Sequence, residues 1–303
     1  MVDIVIVNWN SGAYLQQCIN SITNSSAIDR VNRIIIIDNN SADTSCSSLV
    51  AHPKILVQVN QQNNGFAKAC NQGFKLCTAA FVLLLNPDTL LFDDTLPACI
   101  TYLQQHTGTD ILGCRLVQDD GTTAASCSRF PTPLRIFYDA AGLSKIAPRL
   151  FTPATVMTDW KHDSSRFVNQ VMGAFMFMRL EIFKQYGYFD ERFFVYYEEL
   201  DFSKRLADAG GKTFYNNSIK AVHAGEGTTQ AVKAFRLSLN LNSRLLYAQK
   251  HFSKGEYLLV WAATFFIEPV SRIIFALLKG RPADAGQVIA GFKLLLKHRA
   301  KQI

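Results

Sequence analysis

The chain has 303 residues, 49% hydrophobic and 18% charged, with a formal net charge of +7. That length and apolar content allow a sizeable core, in one large domain or two small ones, and exclude disorder as the main state. Seven cysteines, an odd number without a CxxC pair or metal-finger spacing, exclude a disulfide framework and point to reduced, mostly buried thiols. The opening MVDIVIVNWN is strand-like at once and lacks the charged and apolar regions of a secretory signal, so a cytoplasmic chain is expected. Charge is unevenly placed: from Gln230 onward 12 Lys or Arg face 3 Asp or Glu, and the preceding part is slightly acidic. A basic tail of this kind suits a solvated helix face, anionic lipid headgroups or nucleic acid.

Short apolar runs at 2–7, 34–37, 55–59 and 81–85 read as strands buried on both faces, which implies a parallel sheet. Between the first two, Leu15, Cys18, Ile19 and Ile22 recur at helical spacing behind Ser11, a candidate N-cap. After the third, GFAKACNQGF predicts a shorter helix. This β-α-β succession, through about residue 115, predicts an α/β doubly wound sheet whose ligands bind where strands end.

Those strand ends are polar: Asn8, Trp9 and Asn10; Asp38, Asn39 and Asn40; 60–64; and Asn86, Pro87 and Asp88, where LLLNPDTLL stops. Turn chemistry explains any one of them, since Asn and Asp bond locally in loops. Four at one sheet edge point to a ligand. The first βα turn carries only Gly12, so the GxGxxG fingerprint of a nicotinamide or flavin domain is absent, as is a Walker loop.

The blocks VIVNWNSGAYLQQCINSI, IIIIDNNSAD, NNGFAKACNQGF, LLLNPDTLL, VMGAFMFMRLEIFKQYGYFDERFFVYYEELDFSKRLADAGGK and AVHAGEGTT, in this order over most of residues 1–230, resemble the GT-A fold glycosyltransferases of family 2. Within that family they are similar to bacterial rhamnosyltransferase-like enzymes. The resemblance implies a Rossmann-like, mostly parallel sheet flanked by helices, and inverting transfer of a sugar from a nucleoside diphosphate donor with Mg or Mn.

On this reading Asp88 matches the last acid of the family's DxD motif and holds the cation, because the departing diphosphate needs a Lewis acid. Asn86 cannot supply charge and is assigned to ribose or a metal-bound water. His223 matches the late metal-binding histidine, before a Gly-rich GEG. The family places its base in YYEELDF, at Glu199, with Glu198 left open because Glu stands where Asp is usual. At about 100° per residue both glutamates lie within about 60° of Phe202 and away from the outer helix face. Asp38 resembles the carboxylate that reads a pyrimidine N–H, and Trp9 offers a flat stacking face. Asn64, Gly65 and Asn71 fall at the loop and helix start where backbone N–H groups approach phosphate. Gly173 and Ala174, small residues in an otherwise bulky VMGAFMFM strand, leave room for donor sugar or acceptor. Asp190 touches either substrate or caps a turn.

The expected division is a GT-A domain over 1–230 and a basic, partly apolar helical extension over 231–303. In the extension, 257–267 is nearly unbroken apolar sequence, but Glu268, Pro269 and Arg272 interrupt any bilayer-length span, so no transmembrane helix is predicted. The pattern suits amphipathic helices packed on the domain or lying at a membrane surface, and equally an oligomer contact. The expected partners are a dTDP- or UDP-sugar, rhamnose favoured, and a glycan or lipid-linked acceptor; nucleic acid is not among them. The rival readings are a nucleotidyltransferase and a nicotinamide dehydrogenase, both disfavoured by NWNSG at the first turn, and a sugar-nucleotide-binding module without catalysis.

Overall fold

A computed structural model describes residues 1–225 and 233–300. The strands are β1 (Val2–Asn8), β2 (Val31–Asp38), β3 (Ile55–Val59), β4 (Phe81–Leu85), β5 (Thr89–Leu91), β6 (Ile111–Val117), β7 (Cys127–Ser128), β8 (Arg166–Val168), β9 (Gln170–Val171), β10 (Phe175–Arg179) and β11 (Thr213–His223). The helices are α1 (Tyr14–Thr23), α2 (Phe66–Leu76), α3 (Thr95–Gln105), α4 (Pro133–Ala140), α5 (Leu143–Ile146), α6 (Ile182–Tyr186), α7 (Glu198–Asp208), α8 (Lys233–His251), α9 (Lys254–Ala262), α10 (Glu268–Leu278) and α11 (Pro282–Ala300). They form two compact units. The first contains Met1–Ser128, Trp160–Glu191 and 198–225; the second contains Arg129–Asp159, Arg192–Tyr197 and 233–300.

In the first unit the main sheet runs β3-β2-β1-β4-β10-β6-β11-β5, with β8 also paired to β11. The strands β3, β2, β1 and β4 are parallel, whereas β10 runs antiparallel to both β4 and β6. The parallel half is where the continuous apolar runs lie: β1 and β4 are buried throughout. Leu15, Cys18, Ile19 and Ile22 of α1 pack on the same core as Ile4, Ile6, Ile34 and Leu83. All seven cysteines are unpaired thiols, six of them buried.

Three local expectations are corrected. As the terminal strand, β3 is not buried on both faces; it leaves Val57 40% and Val59 64% exposed. Ser11 does not cap α1, which begins three residues later after Ala13, because its hydroxyl is drawn to the buried Asn8 carboxamide. The VMGAFMFM strand is broken: Phe175 donates to the Met172 carbonyl at 3.1 Å, so 172–174 turn before β10 starts.

The second unit is helical and is not confined to the extension. Ile136 of α4 and Ala154 pack with Leu245, Ala248 and Val260, so Arg129–Asp159, within the expected first domain, contributes to this core, and Arg192–Tyr197 falls in the same unit. A capping box of Ser253 and Glu256 starts α9. Glu268 and Pro269 do not break the helix that follows. A π-helical turn at Ala263–Ile267 leads into α10, where Pro269 occupies the first turn and its missing N–H costs little. Glu268 is 1% exposed and turned inward. Lys254–Leu278 is therefore one helical run long and apolar enough, by length and composition, to cross a membrane, contrary to the reading of its charges as interruptions.

The first sheet also fixes a testable contact. A Cβ added at Gly73 of α2 would lie 2.4 Å from the Val5 Cγ1 of β1. Although Ala normally favours a helix interior, overpacking of this kind costs about 1–3 kcal/mol and should dominate. Gly73→Ala is expected to lower the melting temperature in a thermal scan; an unchanged or higher value would contradict this close approach.

Candidate active site

Register decides which polar residues meet. The parallel pairing of β1 with β2 sets Asn8 opposite Asp38, and the pairing of β1 with β4 ends at Leu85, so the tails of these strands share one sheet edge. Because β10 is antiparallel to β4, with Phe175 opposite Leu85, its start lies at that same edge. Asn86 donates its N–H to the Ala174 carbonyl at 3.1 Å, and the Thr89 hydroxyl reaches the same oxygen at 3.4 Å.

The NPDT segment is a tight turn, with Thr89 N–H donating to the Asn86 carbonyl at 3.1 Å and Pro87 presetting its second position. Its geometry feeds β5, which pairs antiparallel with β11 so that Thr89 stands opposite His223. The result is that Asp88 Oδ1 and His223 Nε2 lie 3.3 Å apart. Both atoms are buried and neither has a hydrogen-bond partner. A buried carboxylate oxygen facing a buried imidazole nitrogen, neither held by a hydrogen bond, fits a divalent cation, for which each is a suitable ligand. Among the described residues no cluster of three or more His, Cys, Asp or Glu could hold a metal, and Asp88 and His223 are the two such side chains that meet here. Gly225 has φ +70, a left-handed backbone that glycine adopts without steric cost. Glu226, Gly227 and the threonines that follow lie outside the described residues.

Glu198 and Glu199 open α7, and Glu198 is 2% exposed. A Cβ added at Gly173 would sit 3.4 Å from Glu199 Oε1, so the glycine's missing side chain is what leaves this carboxylate its space. Burial pushes the Glu199 carboxyl above its ordinary range, offset in part by hydrogen bonds from its own backbone, Glu198 and the Gly173 backbone. Its Oε2 is buried with no hydrogen-bond partner. Such an oxygen is positioned to accept a proton. Tyr196 and Tyr197, just before the helix, both hold left-handed backbone (φ +69 and +70), a conformation that bulky residues adopt only where surrounding structure enforces it.

Asp38 is buried, and its carboxylate accepts from Asn8 Nδ2 at 2.7 Å, Ser41 Oγ at 2.6 Å and Ser41 N–H at 3.1 Å. Asn8 also donates to Ser45 at 2.9 Å, so one amide ties together the loops after β1 and β2. Trp9 is half-buried, with no ring stacking and no hydrogen bond to any described residue. Asp190 is half-buried in the segment after α6.

The three residues expected near phosphate have partners within the protein. The Asn64 N–H donates to Asn39 Oδ1, on the segment after β2, at 3.0 Å and the Gly65 N–H to Asn63 Oδ1 at 2.9 Å, so the first amide is committed to the neighbouring strand end and the second to its own loop. Asn71 lies in the interior of α2, not at its start, and its amide clasps another segment: Nδ2 donates to the Phe189 carbonyl (2.9 Å) and Glu191 Oε1 (3.0 Å), while Oδ1 accepts the Phe189 N–H (3.0 Å). Sequence reasoning placed Asn8 only among the polar strand ends and passed over Ser41 and Ser45, although Ser and Asn types at two neighbouring strand ends were the available signal.

A profile of the family described as Glycosyl transferase family 2 matches residues 3–158, more than half of the chain. The chain belongs to that family. It is 25% identical over 264 residues, covering 83% of this chain and 85% of the relative, to an N-acetylglucosaminyl-diphospho-decaprenol L-rhamnosyltransferase of Mycobacterium tuberculosis. It is 24% identical over 270 residues, 85% of this chain and 97% of the relative, to rhamnosyltransferase WbbL of Escherichia coli K12. A mannosyltransferase of Pyrobaculum calidifontis, solved with GDP-Man and Mn2+, superposes with a TM-score of 0.58 at 15% identity, over 97% of this chain and 86% of that one. The fold is thus that of GT-A glycosyltransferases, and this family 2 member is a glycosyltransferase.

The Asn71 clasp is open to test. Asn71→Ala leaves the buried Phe189 N–H and C=O without partners, at about 1–3 kcal/mol for each group left unsatisfied. A clear fall in thermal stability without ligand is expected; a wild-type melting temperature would show that the clasp is not structural.

Proposed function

We infer that the enzyme is an inverting, cation-dependent transferase that moves a sugar, rhamnose favoured, from a dTDP- or UDP-sugar to a hydroxyl of a glycan or lipid-linked acceptor, in the synthesis of a cell-surface polysaccharide. The observation that carries this reading is the pair of buried atoms without hydrogen bonds, Asp88 Oδ1 and His223 Nε2, together with Glu199 beside Gly173, the neighbour of the Ala174 whose carbonyl binds the turn that carries Asp88. The names of the two rhamnosyltransferase relatives support the sugar, and the mycobacterial relative's name supports a lipid diphosphate acceptor.

Asp88 and His223 would hold the divalent ion, Mg or Mn, with the donor's diphosphate and water completing its ligands. When bound, that ion supplies a Lewis acid for the negative charge growing on the departing diphosphate. Glu199 takes the proton of the acceptor hydroxyl as that oxygen bonds to the anomeric carbon and the carbon–diphosphate bond breaks, a single displacement that inverts configuration. Glu198, hydrogen-bonded to Glu199, orients it. Asp38, fixed by Asn8 and Ser41, accepts the base's ring N–H, and Trp9 stacks on its face. Asn86 meets ribose or a metal-bound water, Gly173 and Ala174 leave space for the sugar, and Asp190 meets donor or acceptor. Asn64, Gly65 and Asn71 shape the loop and helix behind them.

The second unit supports peripheral attachment at a membrane. Phe266 (66% exposed), Val270 (55%), Ile274 (50%) and Leu278 (78%) recur at four-residue steps along one face of the Lys254–Leu278 run. Cationic Lys279, Arg281, Lys293 and Lys297 follow, as anionic headgroups require. The inner face of a cell membrane is the corresponding location.

A base must be deprotonated to act, so a raised Glu199 carboxyl moves the acid limb of the rate profile upward. The kcat/KM of transfer should rise with pH through an apparent pKa above the ordinary glutamate value of 4.5, and a limb at or below that value would contradict the burial argument. Removing the base costs more: Glu199→Gln should keep donor binding while transfer falls by about a hundredfold or more. Normal turnover in that variant would remove Glu199 as the base. Asp88→Ala should instead weaken donor binding together with its response to Mg or Mn.

A further inference from the structure

The second unit contains a cavity of about 420 Å³ that the reaction just described does not use. This lies within the size range of small-molecule sites. Its wall carries Lys145, Arg244 and Arg272 against Asp139 and Glu268. The two acids are already occupied: Glu268 is bonded to Arg244 and, at 2.7 Å, to Arg272, and Asp139 accepts the Ala154 N–H at 3.0 Å. What remains on the wall is an excess of donors. Arg244, only 5% exposed, keeps its Nε buried without a hydrogen-bond partner. Asn240 and Lys145 form no side-chain hydrogen bond with any described residue, and the Lys145 ammonium only approaches the Phe275 ring, at 5.8 Å. The ammonium is also held below its ordinary range, by burial first and then by Arg272, which an arriving anion would relieve. Tyr197, on the same wall, has its hydroxyl pushed up to about 12 by burial and stays protonated.

We propose that this cavity binds the diphosphate group of a lipid-linked acceptor. Guanidinium forks and an ammonium match phosphate oxygens, and two linked phosphates present enough acceptors to engage them together. The lipid part follows from the helix that forms the wall. Glu268, Ser271, Arg272 and Phe275 of α10 line the cavity, while Val270, Ile274, Leu277 and Leu278 of the same helix are exposed. One helix thus offers donors to a headgroup and apolar surface to the chain attached to it. The anion follows from the cavity alone; the lipid rests on the acceptor reading above.

The test is calorimetric titration of the full chain with farnesyl diphosphate, farnesol and inorganic diphosphate, in EDTA so that no cation at Asp88 and His223 can retain a diphosphate. Farnesyl diphosphate is expected to bind, farnesol not to bind, and inorganic diphosphate to bind at least about tenfold more weakly. Lys145→Ala and Arg272→Gln should each weaken farnesyl diphosphate by about tenfold, a charge-assisted contact being lost. Arg244 is left intact because its loss would strand Glu268. Separate Mn2+ titrations of the two variants with UDP and dTDP serve as the folding control. Wild-type affinity for farnesyl diphosphate in both variants, or no binding by the wild type, would overturn the site. Equal binding of inorganic diphosphate would overturn the lipid source. If the wild type binds farnesyl diphosphate but neither UDP nor dTDP, the dTDP- or UDP-sugar donor reading fails while the cavity assignment stands.

Discussion

The pairing of a three-residue strand, β5, with the last residues of β11 is the constraint on which the site depends. It sets Thr89 opposite His223 and so brings the carboxylate before it within 3.3 Å of the imidazole. A one-residue slip would turn every side chain of β5 to the opposite face and separate the pair. Two features hold the register. The NPDT turn, with Pro87 at its second position, fixes where β5 starts, and the Ala174 carbonyl binds that turn through both Asn86 and Thr89. Since Ala174 follows Gly173, and Gly173 leaves Glu199 its space, the NPDT turn and the Glu199 carboxylate meet one short bend ahead of β10.

The parallel half of this arrangement was legible in the sequence. Continuous apolar runs specify strands covered on both faces, and their polar ends marked the edge where ligands bind in such sheets. Asp88, His223 and Glu199 were named from blocks whose order resembles the family. The bend at 172–174 was not legible, because a strand-like composition surrounds it and the break shows only in its hydrogen bonding. The commitments of Asn39, Asn63 and Asn71 were hidden for a related reason: an amide at a strand end or in a helix reads the same in sequence whether it faces a ligand or a neighbouring loop. Trp9 and Asp38 lie between these cases, since their positions followed from strand ends while the Asn8 network that fixes Asp38 did not.

The second unit shows a similar limit. Glu268 and Arg272 read as charges that break an apolar helix, yet Glu268 is turned inward and bonded to Arg244 and Arg272. Taking charges out of water is costly unless each finds partners, and Glu268 finds two guanidinium groups. Hydropathy averages such residues together with their neighbours, whereas the helix separates them by face. The segments 129–159 and 192–197 join this unit through helix packing that has no marker in composition.

The central claim is that Asp88 and His223 hold the catalytic cation through one carboxylate oxygen and one imidazole nitrogen. Pulsed electron paramagnetic resonance of Mn2+ bound together with dTDP or UDP measures this directly. The account predicts a nitrogen coupling to the ion that changes character on 15N-histidine labelling and disappears in His223→Ala. Mn2+ bound with nucleotide but showing no histidine nitrogen coupling would contradict it.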